Sequence, residues 1–280
     1  MPEVFDTYTK KKAFLVCVDS DGCAMDTMDI KHYNCFGPCM VEEWGLSQWR
    51  EAILKRWNEI NLYSMTRGIN RFKALSLCLK EISHQYKPIE DLGSLEHWAE
   101  FSHELSNDAL REEAEKTDSI CLKKALAWSL AVNAKIQELP EENKLPFEGV
   151  KEGLAKAHAC CDVAIVSSAN PDAVTAEWEQ HGLMDYVDVM LAQNAGSKAY
   201  CIGKMLEQGY EKQQVLMVGD APGDRQAAQK NGVLYYPILV RREKESWERF
   251  EREGLPKFLE GSFAGAYQEA LLREFEQNLS

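Results

Sequence analysis

The 280-residue sequence predicts an α/β fold: one parallel sheet flanked by helices, divided after its first strand by a long all-helical insertion. Three observations carry this. Five short apolar runs, rich in β-branched residues and bounded by breakers, have the length of buried strands rather than helices. From Phe147 onward those runs alternate with helical stretches of about ten residues, the pattern of parallel strands joined by crossover helices. Between Glu42 and Glu138, by contrast, apolar residues recur at helical spacing and no strand pattern intervenes.

Taken in order, the first strand is the run ending Val16-Cys17-Val18, which stops abruptly at Asp19-Ser20-Asp21-Gly22. The stretch from Cys23 to Cys39 has little periodicity, carries the turn signal Gly37-Pro38 and reads as a linker. One helical stripe follows in Trp44, Trp49, Ile53, Trp57 and Ile60, and a second in Phe72, Leu75, Leu79 and Ile82. Leu95, Trp98, Phe101 and Leu105 suggest a third helix, and Ile120 to Leu139 a fourth that stops at Pro140. The aromatic residues in these stripes are expected to be bundle core. After a second linker, Pro140 to Pro146, helices are expected at Phe147–Ala159, Pro171–His181, Ser197–Gln208 and Pro222–Asn231. They alternate with strands at Val163–Val166, Val187–Ala192, Val215–Val218 and Val233–Leu239. The first strand has no partner of its own and must join this sheet. Residues 1–28 and 140–280 therefore form a discontinuous Rossmann-like core, and 29–139 a helical cap domain. The charged tail, Arg241 to Ser280, reads as two helical pieces separated by Gly261, with Phe250, Phe263, Tyr267 and Leu271 packed on the core.

Composition narrows the function. With 32 Lys plus Arg against 45 Asp plus Glu, the net charge is -13, which repels nucleic acid and anionic membranes at long range. A phosphorylated ligand would need a local cation to overcome that field. The nine cysteines include no Cys-x-x-Cys pair; vicinal Cys160 and Cys161, and Cys35 with Cys39, make neither a zinc set nor a secreted disulfide framework, and read as reduced thiols. Met1 to Lys12 is polar without a signal-type segment, and no apolar run reaches membrane length. The expectation is a cytoplasmic protein with no nucleic-acid or membrane partner; the oligomeric state is left open.

Each strand of the expected sheet delivers polar groups to its carboxyl end, where open α/β sheets bind ligands. The first gives Asp19 and Asp21; the second Ser167-Ser168-Ala169-Asn170; the third is followed by Gly196-Ser197-Lys198; the fourth ends in Gly219-Asp220-Ala221-Pro222-Gly223-Asp224. Two acids one residue apart repel unless a cation lies between them or one is protonated. Carboxylates with a hydroxyl, an ammonium and glycines suit a divalent cation beside a phosphoryl group, and Mg²⁺ favours such hard oxygen ligands. A carboxylate there can form an acyl phosphate.

These four segments, DSDG, VSS, SK and GDAPGD, in this order and at strand ends, resemble the four motifs of the haloacid dehalogenase-like superfamily, mostly phosphatases. The resemblance covers Phe14 to Gly22 and about Phe147 to Leu239, and the helical insert resembles that superfamily's cap in position and helical character. It implies a Mg²⁺-dependent phosphomonoester hydrolase acting on a small phosphorylated metabolite. Carried over by position, it makes Asp19 the nucleophile, Asp21 the acid and base, Ser167 a phosphoryl hydrogen-bond donor and Lys198 the charge neutraliser. Mg²⁺ would be held by Asp19, the backbone carbonyl of Asp21 and Asp220, with Asp224 as a ligand or just behind the ligands. Cys23 stands where threonine or an aliphatic residue is commoner in that family. The presence of Asp21 fits neither its dehalogenases nor its phosphonate-cleaving members.

Simpler roles compete at each position. Either acid could cap the next helix, although capping needs one acid rather than two. Ser168 rivals Ser167 for phosphate, Lys204 rivals Lys198, and Asp224 could be a first-turn helix acid behind Pro222. Lys31, His32 and Tyr33 follow the acids closely, and Thr66-Arg67-Gly68-Ile69-Asn70-Arg71 interrupts the insert with a polar turn. His32, Arg67 and Arg71 are thus candidates to bind an anionic substrate, against a reading as solvated charges. A phosphomutase and a non-catalytic phosphate-ligand-binding protein are the competing functions.

Overall fold

The computed structural model describes residues 3–280. Five strands form one wholly parallel sheet in the order β3-β2-β1-β4-β5, from β1 (Phe14–Val18), β2 (Cys161–Val166), β3 (Val189–Leu191), β4 (Val215–Gly219) and β5 (Leu234–Pro237). The chain's first strand is therefore the middle of the sheet. It has the composition for that place, since Leu15, Val16, Cys17 and Val18 are all fully buried and only a strand covered on both faces can be apolar at every position. Val18 lies level with Ile165 on one side and Val218 on the other. This register brings the ends of three strands to one edge, so Asp19, Ser167 and Asp220 leave the sheet as neighbours. Pro237 is tolerated because β5 is an edge strand, where a missing N–H costs no ladder bond.

The chain divides into two compact units, 1–28 with 141–280, and 29–140. In the first, helices Val150–Cys160, Pro171–Gln180, Lys198–Glu207 and Pro222–Asn231 join the strands, and two buried clusters occupy the two faces of the sheet. The N-terminal stretch, read as merely polar, contains a short helix Glu3–Thr7 that buries Phe5. The tail breaks at Gly261, whose φ is 74°. Before it run helix Glu243–Arg249, a π turn Phe250–Gly254 and helix Leu255–Leu259; after it comes Ala266–Asn278. Trp247, Phe250, Phe258, Phe263 and Phe275 of this segment are all fully buried, so it completes the core. Eight of the nine cysteines are buried as core filler, and Cys160 is exposed.

The second unit is all helical around a single aromatic-rich cluster that includes Phe36, Trp57, Phe72, Trp98 and Trp128. Here the sequence reading needs four corrections. The supposed linker is helical from residue 28 onward: helix Met28–Lys31 runs into a π turn His32–Phe36 and then helix Gly37–Glu43. The Gly37-Pro38 pair is absorbed rather than breaking the chain. Gly37 donates its N–H back to His32, and Pro38 takes a first-turn position where a missing N–H is harmless. A Cβ on Gly37 would stand 2.7 Å from Leu54 Cδ2, so the glycine also buys close packing. The Trp44 stripe is interrupted at Gly45, φ 63°, and its main helix is Arg50–Leu62. The third stripe ends early: the helix is Leu92–Phe101, Phe101 is 68% exposed, and Leu105 lies beyond it. A further helix, Asn107–Thr117, escaped detection because only Leu110 and Ala114 of it are buried. Among the described residues, no helix is long and apolar enough to cross a membrane.

Candidate active site

At the carboxyl edge of the sheet, Asp19, Asp220 and Asp224 each offer an oxygen within 4.8 Å of the others, and all three side chains are buried. Lys198 joins them from the first turn of its helix. Its Nζ lies 2.7 Å from Asp19 Oδ2 and 2.5 Å from Asp224 Oδ1. Lys204, the rival, pairs with Glu207 on the surface instead. Backbone groups aim the acids: Ser20 N–H donates to Asp19 Oδ1 at 2.8 Å, and Ala221 N–H to Asp224 Oδ2 at 3.0 Å. Tyr235 donates its hydroxyl to the Gly219 carbonyl, bracing the strand end before Asp220.

Asp21 stands apart from this cluster. Its Oδ1 accepts a 2.6 Å bond from the buried hydroxyl of Thr27, and its carboxylate is not one of the three gathered oxygens. The Asp21 side chain, one of the expected metal ligands, is thus not in the gathered set; the ligation that the sequence suggests for Asp21 is through its backbone carbonyl. Between the acids and Thr27 the chain makes a tight turn, in which the Ser20 carbonyl accepts the N–H groups of Cys23, Ala24 and Met25. Gly22, with φ 80°, adopts the left-handed conformation that this turn requires. Ser167 is buried at the end of β2 with its Oγ accepting from Ala169 N–H, while Ser168 is exposed.

The electrostatics follow from crowding charge out of water. Burial pushes the Asp19 carboxyl well up; Lys198 pulls it back, and Asp224 and Asp220 push it further. Burial works against the Lys198 ammonium, but Asp19 and Asp224 outweigh it and hold its pKa above the ordinary value. One ammonium thus pairs with two of the three buried carboxylates. The donor set, three hard oxygens gathered in one buried place with excess negative charge, fits a small divalent cation such as Mg²⁺.

In the helical unit, the candidates His32, Arg67 and Arg71 separate. Arg67 is 2% exposed and donates to the Leu62 carbonyl at 2.8 Å, a tie within its own turn, which the reading as a solvated charge did not foresee. Arg71 opens the helix Arg71–Gln85, capped by Asn70. Its Nη1 donates to Ser129 Oγ at 3.1 Å and Asn133 Oδ1 at 2.7 Å, and its guanidinium lies 5.0 Å over the Phe36 ring. Among the described residues these partners are all neutral, and burial pulls Arg71 down to about 10. His32 stacks on Phe36 at 4.6 Å, and its Nδ1 accepts the Trp57 indole N–H, which puts the proton of the neutral ring on Nε2.

Sequence reasoning missed Thr27, Tyr235 and two indoles, Trp178 bonded to Ser20 Oγ and Trp247 to the Cys23 carbonyl. Thr27 lay in an apparent linker, and the other three lie more than 150 residues from the groups they serve or on a different strand, with no local signal.

The site thus lies at the carboxyl edge of a parallel sheet whose central strand ends in a buried carboxylate, with a lysine and two further acids beside it, the arrangement of an α/β enzyme core. The chain belongs to the haloacid dehalogenase-like hydrolases, whose family model matches residues 69–236. Solved structures of other proteins share the fold, two of them as follows. A haloacid dehalogenase-like family hydrolase from Streptococcus pneumoniae is 13% identical, with a TM-score of 0.52, covering 84% of this chain and 90% of its own. A protein of Lactobacillus delbrueckii subsp. bulgaricus, provisionally named a phosphoglycolate phosphatase, is also 13% identical, with a TM-score of 0.50 and coverage of 82% and 87%. No curated protein matches the chain.

Proposed function

We propose that this hydrolase is a Mg²⁺-dependent phosphomonoesterase that acts on a small phosphorylated metabolite through a phosphorylated Asp19. The observation that carries the reading is Lys198 bridging Asp19 and Asp224 beside Asp220 at the carboxyl edge of the sheet. Asp19, Asp220 and Asp224, with the backbone carbonyl of Asp21, would hold Mg²⁺, which when bound neutralises charge on the phosphoryl oxygens.

In the first step an Asp19 oxygen bonds to phosphorus as the ester P–O bond breaks, and protonated Asp21 gives its proton to the leaving alkoxide. In the second, Asp21 takes a proton from water, whose oxygen bonds to phosphorus as the Asp19–phosphorus linkage breaks. Phosphate leaves, and Asp21 is again protonated. Lys198 balances charge on Asp19 throughout, and Ser167 donates to a phosphoryl oxygen. The family's description as hydrolases favours water over a sugar hydroxyl as the acceptor, against the mutase alternative. A binding protein would have no need to keep nucleophile, acid, lysine and metal ligands together.

For selectivity we favour Arg71 over Arg67 within the helical unit. Among the described residues the partners of the Arg71 guanidinium are neutral, which leaves its charge for a ligand, so the substrate is expected to carry a second anionic group. The acidic composition and unpaired thiols accord with a cytoplasmic protein.

The test is direct. Wild-type protein with Mg²⁺ should hydrolyse p-nitrophenyl phosphate, EDTA should stop it reversibly, and Asp19→Asn should abolish turnover with an unchanged circular dichroism spectrum. Turnover by the Asp19→Asn protein, or no phosphate release by wild type across a broad phosphate ester panel, refutes the proposal.

A further inference from the structure

A hydrogen bond ties the loop that carries Asp21 to the C-terminal segment. The Trp247 indole donates to the Cys23 carbonyl at 2.9 Å, across 224 residues of sequence, and both residues are fully buried. Cys23 lies between Asp21 and Thr27, whose hydroxyl holds the Asp21 carboxylate. A shift of the Cys23 peptide therefore moves the acid and its hydrogen-bond donor against each other.

The indole is built into place. Gly153, on helix Val150–Cys160, has no side chain where a Cβ would stand 2.8 Å from Trp247 Cε3, and a Cβ on Gly149 would stand 3.2 Å from Trp247 Cβ. Phe250 packs edge-on against the indole, with ring centroids 5.5 Å apart and the rings at 81°. Two glycines and a near-perpendicular ring thus pack closely around an indole whose N–H is directed at the loop. Trp247 also lies beyond residues 69–236, the part of the chain that the family model matches.

We propose that Trp247 is a positioning residue for Asp21, and that the C-terminal segment is part of the acid–base apparatus as well as of the core. This rests on the phosphomonoesterase reading above. Trp247 touches neither substrate nor reacting atoms. By holding the Cys23 carbonyl it fixes where Asp21 stands when the leaving group needs a proton.

The experiment replaces Trp247 with benzothienylalanine, which keeps the two-ring shape and loses the N–H donor; Trp247→Phe serves as a second variant. kcat/KM, which reports phosphorylation of Asp19, is measured on glycerol phosphate and on p-nitrophenyl phosphate. The first has a strongly basic leaving alkoxide that depends on protonation, the second a weakly basic phenolate that hardly does. The expected result is a loss of about tenfold on glycerol phosphate, part of the 10²–10⁴ that full acid catalysis supplies, with p-nitrophenyl phosphate changed by less than about twofold. Equal losses on both substrates in the benzothienylalanine protein make Trp247 merely structural and overturn the proposal, as does no loss on either. If wild-type protein hydrolyses neither these esters nor any other of a broad phosphate ester panel, the phosphomonoesterase reading fails, and this inference with it.

Discussion

Replacing Gly219 with Ala removes no functional group, yet it should dismantle the acidic site. A Cβ at this position would stand 2.4 Å from Asp224 Oδ2, 2.5 Å from its Cγ and 2.6 Å from its Cβ. To restore an ordinary contact of 3.4 Å, the Asp224 carboxylate must retreat by about 1 Å. Two bonds resist that movement, the 2.5 Å contact from Lys198 Nζ and the 3.0 Å bond from Ala221 N–H. Hydrogen bonds to buried charged groups contribute about 1.5–3 kcal/mol each. A displacement of about 1 Å at a reacting centre costs roughly 10²-fold in rate. The Gly219→Ala protein should therefore remain folded, bind Mg²⁺ more weakly by calorimetry and lose about 10²-fold in kcat on p-nitrophenyl phosphate. Activity within about threefold of wild type would show that Asp224 moves freely and that its placement is not critical.

Three further outcomes follow from the same geometry. Lys198→Met strands Asp19 and Asp224 in a buried place, so urea unfolding should show a loss of about 3–5 kcal/mol, partly recovered by added Mg²⁺; unchanged stability would mean the carboxylates are already neutral. Arg71→Gln should raise KM for the physiological substrate by roughly 10–100-fold while changing p-nitrophenyl phosphate hydrolysis far less, and equal effects on both would remove Arg71 from substrate binding. Asp188 is held below its ordinary pKa: burial opposes this, but the Val163 N–H, Lys11 and His158 prevail. Its stabilisation is present above about pH 4, the unfolded value, and is lost as pH falls through the lower folded value. The stability gap between wild type and Asp188→Asn should therefore close on acidification below about pH 4, and a gap constant with pH would contradict this.

Much of the sheet was legible because its information is local. An apolar run such as Leu15 to Val18, too short for a helix and stopped by two acids, declares a buried strand and its exit point without knowledge of any neighbour. Helices were less legible where packing overrode local signals. Gly37-Pro38 reads as a turn, and only the nearness of Leu54 and the back-bond to His32 show why it lies in a helix. Phe101 sits at helical spacing from Trp98 but faces water, because spacing gives a face and not what covers it.

By itself the sequence determined that five strands alternate with helices, that an all-helical segment interrupts them, and that Asp19, Ser167, Lys198, Asp220 and Asp224 lie at or just beyond strand ends. Tertiary structure alone decided that β1 is the centre of the sheet and that Lys198 bridges Asp19 and Asp224. It also decided that Arg67 binds its own turn, that Thr27 holds Asp21, and that Trp247 reaches Cys23. The physical reason is range. Strand and helix periodicity act between residues a few positions apart, whereas a hydrogen bond between residues 23 and 247 exists only once the intervening chain has packed and brought the indole to the loop.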